Sequence, residues 1–367
     1  MPRPLHVGII GCGKISDAYF AGCKNYDVVK IVACADLDPA RARAKAAEHG
    51  IRGCTVDDLL SDPTLSLVVN LTVPQAHAAV NTSALHAGKH VYTEKPFALD
   101  SRDGAAVLAL AREKKLLVGC APDTFLGGGL QTACKAVDDG AIGRPVSALA
   151  FMLCRGHESW HPSPQFYYQK GGGPMLDMGP YYITALVSFL GPVTRVCGSA
   201  QSAFAERFIT SEPLAGTKIS VATPTHVTGV MDFAGGVTAT IVTSFDTWAY
   251  PLPHLIVFGT EGTLEAPDPN RFDGVVRLRR GSNESFEELP PTHTVDRGRG
   301  TGIADMAYSI LRRERAHRAN GALGQHVLEV MESFEKSSTT GRHVAIASTC
   351  ERPAPLPSRL AASEIDA

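Results

Sequence analysis

The amino-acid sequence predicts an α/β domain with a doubly wound parallel sheet, followed by an α+β domain on an antiparallel or mixed sheet. With 367 residues, the chain exceeds the roughly 250–300 residues that one hydrophobic core usually reaches, so two domains are expected. Strand-like and helix-like segments alternate up to about residue 120, as in parallel βαβ units. We therefore assign residues 1–122 to an N-terminal domain and 123–350 to a C-terminal domain, with a loosely ordered Pro/Ala/Ser-rich tail at 351–367.

The N-terminal elements follow from short apolar runs separated by helical stretches. Expected strands are residues 6–10, 28–35, 67–71, 90–92 and 116–119. Expected helices run from the first glycine-rich turn to Asn25 and over 39–49, 74–87 and 101–114. Pro39 suits a first helical position, where its missing N–H costs nothing, and Gly88 suits a helix C-terminus.

The C-terminal elements are mainly strands. We expect them at residues 146–152, 193–200, 226–233, 237–245, 255–259 and 274–279, with helices at 175–189 and 325–337. Gly235 and Gly236 predict a hairpin between the third and fourth of these strands, because glycine accepts the positive φ of a tight turn.

Composition excludes several classes of protein. The chain carries 35 basic and 37 acidic residues, whereas a nucleic-acid-binding surface usually produces a basic excess. No apolar run reaches the roughly 18–20 residues that span a bilayer, and the start resembles neither a signal peptide nor a lipidation motif, so we expect a cytoplasmic protein. The nine cysteines include no C-x-x-C pair, which favours reduced, mostly buried thiols over structural zinc.

The first chemical motif is the glycine loop after the first strand. Gly11 and Gly13 have the spacing of a dinucleotide-binding fingerprint, with Ser16 at the third position. Glycine permits a sharp turn and close approach to a pyrophosphate, while the helix N-terminus supplies N–H groups. We expect Gly11, Gly13, Lys14 and Ile15 to bind a dinucleotide; the alternative is a Rossmann-like domain without a cofactor.

The end of the second strand indicates which dinucleotide is bound. Asp36 stands at about the spacing of the acid that binds the ribose hydroxyls. A carboxylate there repels a 2′-phosphate, so NAD is favoured over NADP. Arg41 and Arg43 lie close enough in sequence to leave NADP as an alternative.

Two further segments follow predicted strands, at the sheet edge where open α/β sheets bind ligands. One contains Thr72, Pro74 and His77, and the other contains Glu94 and Lys95. Lys95 precedes a proline directly after a buried strand, which would hold its ammonium group rigidly. The alternative is an ordinary solvated lysine.

Together these motifs resemble the Gfo/Idh/MocA oxidoreductase family, over about residues 5–345. The resemblance implies a Rossmann domain and an α+β domain whose large, open, mostly antiparallel sheet faces the cofactor and often forms dimers or tetramers. It also implies that the Glu94-Lys95-Pro96 triplet lies beside the nicotinamide, with a cis Lys-Pro bond. The family usually has an arginine after the next strand, but residues 121–125 depart from that pattern, so no arginine is carried over.

The second strong segment is a glycine-rich lead into a helix that bears Asp177 and Tyr181. Their i, i+4 spacing places both on one helix face. In the resembling family the second position is usually histidine. Tyrosine is a poor base unless a cation stabilises its phenolate, and Lys95 is the expected cation. We expect Lys95 and Tyr181 to contact the reacting hydroxyl and Asp177 to bind sugar hydroxyls and hold the lysine charged; a packed core aromatic is the alternative for Tyr181.

A competing signal is His157-Glu158-Ser159-Trp160-His161, which matches the H-E-x-x-H zinc-protease string. That chemistry needs one continuous helix, yet Gly156 precedes the segment and Pro162 follows it. We expect a loop in which His157, Trp160 and His161 are candidate substrate contacts, with His161 an alternative acid/base, and no metal. A plain surface loop is equally compatible.

The sequence thus predicts an NAD-dependent oxidoreductase that moves a hydride between a sugar or polyol carbon and nicotinamide. Its expected partners are a small carbohydrate or polyol and further copies of itself, as a homodimer or homotetramer through the C-terminal sheet. The alternatives are a redox-neutral, NAD-retaining glycosidase-like or epimerase-like enzyme and a non-catalytic NAD-binding regulator.

Overall fold

The N-terminal alternation of strands and helices forms a six-stranded, fully parallel sheet in the computed structural model, which describes residues 4–312 and 315–366. Its strands are β1 (Leu5–Ile10), β2 (Val29–Ala35), β3 (Arg52–Cys54), β4 (Leu67–Asn70), β5 (His90–Thr93) and β6 (Val118–Cys120). The spatial order is β3-β2-β1-β4-β5-β6. The order reverses between β1 and β4, and this switch point opens a crevice at the carboxyl ends of the strands. The predicted doubly wound sheet is confirmed.

Helices connect these strands, and polar side chains cap the N-termini of several of these helices. They are α1 (Ser16–Cys23), α2 (Pro39–His49), α3 (Val56–Ser61), α4 (His77–His86) and α5 (Ser101–Lys114). The side chains of Asp38, Thr55 and Asp100 accept backbone N–H groups at the starts of α2, α3 and α5. These caps satisfy amides that would otherwise lack a partner within the helix.

The C-terminal strands form a nine-stranded mixed sheet and a separate two-stranded sheet. The strands are β7 (Pro145–Leu153), β8 (Val193–Gln201), β9 (Glu206–Phe208), β10 (Lys218–Ser220), β11 (His226–Phe233), β12 (Thr238–Ser244), β13 (Leu255–Gly259), β14 (Gly262–Ala266), β15 (Val276–Arg280), β16 (Glu287–Leu289) and β17 (Val344–Ala345). The large sheet has the order β16-β15-β14-β13-β7-β12-β11-β8-β17, and β9 pairs with β10. In the part of this sheet that the structure describes, β7 and β12 are the only pair that runs parallel. The expected hairpin joins β11 to β12, where Gly236 has φ +80°.

Four helices follow in this half of the chain: α6 (Gly128–Asp138), α7 (Gly173–Leu190), α8 (Thr301–Arg312) and α9 (Gly321–Thr340). Of these, α6, α7 and α9 pack on the nine-stranded sheet. Alternate side chains of β7, such as Ala148 and Ala150, are fully buried on the helix-covered face. Although α8 follows the second sheet in sequence, it packs against α1, β2 and β6 of the first domain. The boundary near residue 122 remains a prediction.

Sequence analysis missed α3, α6 and α8 and the short strands β3, β9, β10, β14, β16 and β17. Each of these strands has at most five residues, too few for a clear period-two pattern. Helix α6 begins with two glycines, which are poor helix formers, and it is stabilised instead by burial of most of its residues.

The expectation of a loosely ordered tail is wrong for residues 351–366, which pack against the body of the protein. Leu356 and Ile365 are buried. The buried Arg297 donates to the carbonyl oxygen of Glu364 at 2.6 Å. The tail composition lacks the apolar periodicity of a helix or strand, but two apolar anchors and backbone carbonyls are sufficient to hold it.

The structure bears on two expectations drawn from composition, which concern the state of the cysteines and membrane-spanning segments. All nine cysteines are free, and six of them are buried. Within residues 4–312 and 315–366, no helix combines the length and apolar character needed to cross a membrane.

Candidate active site

A cleft of about 2270 Å³ lies between the carboxyl edge of the parallel sheet and the second domain. Its walls are the glycine loop, the ends of β2, β4 and β5, the start of α7 and the loop after β7. Pockets for a single small ligand usually measure roughly 300–1,000 Å³. The cleft therefore has room for an extended ligand and a second, smaller one.

The glycine loop lies against the end of β4. Gly11 has φ +100°, and a Cβ there would lie 2.6 Å from the carbonyl carbon of Leu71. Only glycine fits this backbone and this approach. A Cβ on Gly13 would meet no atom within 4 Å, because this residue faces the open cleft, where Lys14 and Ile15 also lie.

Asp36 lies at the end of β2 with its carboxylate held by the backbone. One oxygen accepts the N–H of Cys12 at 2.8 Å, and the other accepts the N–H of Asp38 at 2.9 Å. Arg41 approaches it at 3.6 Å from a half-exposed position. A carboxylate fixed at this edge fits the ribose hydroxyls of NAD, so the loop and acid together form a suitable dinucleotide site.

The second predicted segment divides into exposed and buried parts. Thr72 and Pro74 line the cleft. His77 is fully buried beneath it, with Nδ1 2.7 Å from the carbonyl oxygen of Pro96 and Nε2 3.0 Å from that of Thr72. Burial lowers the pKa of His77. His77 therefore joins two loops of the cleft from below rather than lining it.

The Glu94-Lys95-Pro96 triplet directly follows β5, and its Lys95–Pro96 bond is cis, as the family resemblance implies. Glu94 accepts the backbone N–H of Lys95 at 2.9 Å and the hydroxyl of Tyr19 at 2.7 Å. These contacts occupy both carboxylate oxygens of Glu94. Glu94 thus holds the backbone from which the Lys95 side chain extends.

The ammonium group of Lys95 is bound by Asp177 on α7. Nζ donates to the carbonyl oxygen of Asp177 at 2.5 Å and to its Oδ1 at 2.8 Å. Burial would lower the pKa of Lys95, but the nearby Asp177, Tyr181 and Glu94 outweigh it and raise the pKa. Burial would raise the pKa of Asp177, but Lys95 and His157 hold it well below its usual range. Both groups are therefore charged at neutral pH.

His157 completes this cluster from the loop after β7. Its Nε2 lies 3.1 Å from Oδ2 of Asp177, the carboxylate oxygen that Lys95 does not use. The ring packs among Trp160, Tyr167 and Phe245. Sequence analysis proposed His157 only as a substrate contact; the structure also places it against Asp177.

Tyr181 lies one turn after Asp177 on the same face of α7, and both line the cleft. Its hydroxyl accepts a hydrogen bond from Nη2 of Arg299 at 3.0 Å. Lys95, the expected partner of this hydroxyl, instead has its ammonium 5.1 Å from the centre of the Tyr181 ring. The cation at the hydroxyl is thus an arginine, and Tyr181 is more than a packed core aromatic.

The H-E-x-x-H segment forms a turn rather than a continuous helix. His157 reaches Asp177, whereas His161 packs on Trp160, Phe166 and Tyr167, and its Nδ1 accepts the N–H of Ser163. Burial and the charge of Lys14 lower the pKa of His161. His161 is not among the residues that line the cleft, which disfavours it as the acid/base group.

Trp160 lies at the mouth of the cleft, with the Lys14 ammonium 5.6 Å from its ring centre. This contact joins the glycine loop to the second domain. The turn itself is held by Arg207, which is buried and forms ion pairs with Glu158 and Asp246. Trp160 thus offers an exposed aromatic face from an anchored turn.

Sequence analysis missed Arg299, which bonds to the cleft residue Tyr181, and Asp123, which pairs with Arg299. Asp123 lies within the segment that departs from the family pattern, and it contacts Arg299 at 3.4 Å. Two glycines flank Arg299 just before α8, a weak signal of a fixed turn. The glycines around Arg299 and the departure of residues 121–125 from the family pattern are the sequence signals near this pair.

Comparison with known proteins agrees with this architecture. Residues 5–121 match the family described as an oxidoreductase family with an NAD-binding Rossmann fold, and residues 130–265 match the GFO/IDH/MocA C-terminal domain. The chain is 25% identical over 348 residues to 1,5-anhydro-D-fructose reductase of Ensifer adhaerens, covering 92% of this chain and 98% of the relative.

Solved structures share the fold over nearly the whole chain. A levoglucosan dehydrogenase in complex with NADH superposes with a TM-score of 0.81 at 21% identity, covering 94% of this chain and 100% of the other. An aldose-aldose oxidoreductase from Caulobacter crescentus gives 0.78 at 20% identity, with the same coverage. The two matched domains and their arrangement show that this chain belongs to the Gfo/Idh/MocA oxidoreductase family.

Proposed function

We propose that this protein is an NAD-dependent dehydrogenase acting on a hydroxyl-bearing carbon of a sugar or polyol. The observation that carries the proposal is the charged Lys95, bound by Asp177 and lying over Tyr181 in the cleft that the glycine loop and Asp36 also line. The relatives named above are a sugar reductase and sugar oxidoreductases, which supports a neutral, hydroxyl-rich substrate.

Each polar group has a separate task in this reaction. Two of the three Lys95 N–H groups are taken by Asp177, which leaves one to donate to the substrate oxygen. Since the raised pKa keeps Lys95 charged, it stabilises negative charge on that oxygen rather than abstracting a proton. Tyr181 is then the group that takes the proton of the substrate hydroxyl. A bound nicotinamide would supply the hydride acceptor or donor.

The cleft wall around these groups suits a sugar ring. His157 and Trp160 lie on the second-domain side of the cleft, and Trp160 is exposed enough to stack on an apolar ring face. His157 fixes the Asp177 oxygen opposite Lys95, so the carboxylate has one orientation. These contacts would place the reacting carbon beside Lys95.

The test is a screen of neutral sugars and polyols with NAD, followed by the near-ultraviolet absorbance of NADH. Net NADH formation with at least one substrate supports the proposal. Substrate conversion without net NADH, by protein that retains its cofactor, would instead indicate the redox-neutral glycosidase-like or epimerase-like enzyme. NAD binding without turnover across the panel would favour a regulator.

Asp36 gives a prediction on cofactor choice. Replacing Asp36 with serine removes the charge that repels a 2′-phosphate while leaving Arg41 free to pair with it. We expect kcat/KM with NADP to rise and that with NAD to fall, so that their ratio changes roughly 10- to 100-fold. Parallel kinetics with both cofactors measure the ratio.

The matched control for this change is Asp57→Ser, which removes an acid from elsewhere on the cleft wall. It should leave the preference nearly unaltered. An unchanged ratio in Asp36→Ser would show that Asp36 does not select the cofactor.

We also propose that the outer face of the nine-stranded sheet pairs with a second copy of the chain. On this face Leu149 lies beside Ile256, and Phe151 beside Val242. All four are apolar and only partly buried, opposite the face covered by helices. A contiguous apolar sheet face pairs readily with itself around a twofold axis.

Replacing Ile256 with aspartate places a charge in the middle of this face. We expect the wild-type protein to migrate as a dimer or tetramer in size-exclusion chromatography with light scattering, and Ile256→Asp to migrate as a monomer. Lys30→Asp, an exposed change on β2, is the control for altered charge. A monomeric wild type would refute the pairing.

A further inference from the structure

Arg299 contacts the cleft residue Tyr181 from a turn that three separate contacts hold in place. Asp123 is fully buried and accepts the N–H groups of Gly300 and Gly302, both at 3.0 Å, at the start of α8. Thr301 bonds to the carbonyl oxygen of Gly298 and to the hydroxyl of Tyr26, both at 2.7 Å. The position of Arg299 is therefore set before any ligand binds.

The third contact is the close approach of Gly22 on α1 to the backbone of Arg299. A Cβ on Gly22 would overlap the carbonyl oxygen of Arg299, so α1 and the turn can meet this closely only because residue 22 has no side chain. Helix α1 directly follows the glycine loop. The turn that bears Arg299 is thus packed directly against the helix that follows the glycine loop.

The guanidinium of Arg299 is directed at Tyr181 more closely than at its acid partner. Nη2 lies 3.0 Å from the Tyr181 hydroxyl, whereas Nη1 lies 3.4 Å from Asp123. The other carboxylate oxygen of Asp123 is occupied by the amides of α8, so its charge is shared with the helix N-terminus. Asp123 therefore offsets the positive charge of Arg299 only in part, and this charge acts on the Tyr181 oxygen.

The protonation state of Lys95 limits which group can act as the base. Oxidation of an alcohol needs a base, and the charged Lys95 cannot serve as one while Asp177 holds it. Tyr181 is then the group in this part of the cleft that two cations face, with Arg299 at its hydroxyl and Lys95 over its ring. Two cations stabilise a phenolate, the form that accepts a proton.

We infer that Arg299 is a positioning residue that enables Tyr181 to act as the base, in place of the histidine that Tyr181 replaces. This inference rests on the proposed dehydrogenase function. As the substrate carbonyl forms, the hydroxyl O–H bond breaks and its proton passes to the Tyr181 oxygen, while the C–H electron pair leaves with the hydride to NAD. The phenol then returns its proton to solvent through the cleft.

The pH dependence of this step reflects all the charged and titratable groups around Tyr181. Lys95 and Tyr167 interact with Tyr181, and Asp177 is paired with Lys95. Asp123, Glu94 and Tyr19 interact with Arg299. Among residues 4–312 and 315–366, Arg299 is the only residue that donates a hydrogen bond to the Tyr181 oxygen. Replacing Arg299 removes this hydrogen bond and also leaves Asp123 without its cation, so the charge-preserving Arg299→Lys is tested beside it.

The experiment compares wild type, Arg299→Gln, Arg299→Lys and Tyr181→Phe. We expect Arg299→Gln to lower kcat/KM for oxidation roughly 10- to 100-fold near neutral pH and to move the acid limb of its pH profile to higher pH. Arg299→Lys, which keeps the charge, should restore part of the loss. Arg271→Gln, an exposed arginine paired with Asp273, should behave as wild type.

A second readout does not depend on turnover. Tyrosine ionisation is followed by near-ultraviolet difference absorbance in each variant, with NADH fluorescence as the check on folding. The signal that Tyr181→Phe removes should appear at higher pH in Arg299→Gln. Identical titrations and pH profiles in wild type and Arg299→Gln would overturn the inference, while a shifted titration in a protein without dehydrogenase activity would refute only the proposed function.

Discussion

Replacing Lys95 with methionine should lower kcat about 100- to 10,000-fold, the range associated with loss of a group that acts on the reacting proton or oxygen. Methionine approximates the length of the lysine stem but cannot donate to the substrate oxygen. The change also leaves the Asp177 carboxylate without its cation. Steady-state kinetics on the substrate found by the screen measure the effect.

The control for this variant is Lys114→Met, which removes a lysine from the exposed end of α5 and should leave kcat unchanged. NADH fluorescence should show that Lys95→Met still binds the dinucleotide, since the glycine loop and Asp36 are intact. Turnover within a few-fold of wild type would exclude Lys95 from the mechanism.

Replacing Asp177 with asparagine should have the second largest effect, because it acts on stability as well as activity. The amide preserves the shape of the side chain but leaves the ammonium of Lys95, whose side chain is only 15% exposed, without a counter-charge. We expect the free energy of unfolding to fall by about 3 kcal/mol and kcat to fall about 100-fold. Denaturant unfolding and kinetics measure the two effects.

The pH dependence of this variant follows from the lowered pKa of Asp177. A carboxyl group with a lower pKa in the folded state stabilises the fold fully above its unfolded pKa and loses that contribution as acid protonates it. The difference in unfolding free energy between wild type and Asp177→Asn should therefore be constant from neutral pH to about pH 5 and shrink at lower pH.

The comparison is with Asp139→Asn, which breaks the exposed pair between Lys135 and Asp139 on the surface of α6. Exposed pairs contribute about 0.5 kcal/mol or less, so this variant should unfold nearly as wild type does. If Asp177→Asn lowered the free energy of unfolding as little as Asp139→Asn does, the Lys95–Asp177 pair would not stabilise the folded cleft.

Sequence analysis predicted the parallel domain well because its signals are local. Each buried strand is a short apolar run, and each helix is bounded by caps or glycines within a few residues. It predicted the packed tail badly, since residues 351–366 are held by side chains from distant elements. The oligomeric state and the roles of the site residues stay predictions, which the experiments above address.

Within the cleft, the sequence alone determined the groups whose spacing is set by one element. Gly11 and Gly13 belong to one turn, Lys95 adjoins its proline, and Asp177 and Tyr181 are one helical turn apart. Helix and strand geometry converts such spacings directly into a shared face or edge. These groups were therefore identifiable before any tertiary contact was known.

Only the tertiary structure decided which charges meet. Arg299 and Tyr181 are separated by 118 positions, and Lys95 and Asp177 by 82. No local rule relates residues so far apart, because their distance depends on how α7, α8 and the parallel sheet pack together. That packing placed an arginine rather than Lys95 at the Tyr181 hydroxyl, brought His157 to Asp177, and put His77 beneath the cleft rather than in it.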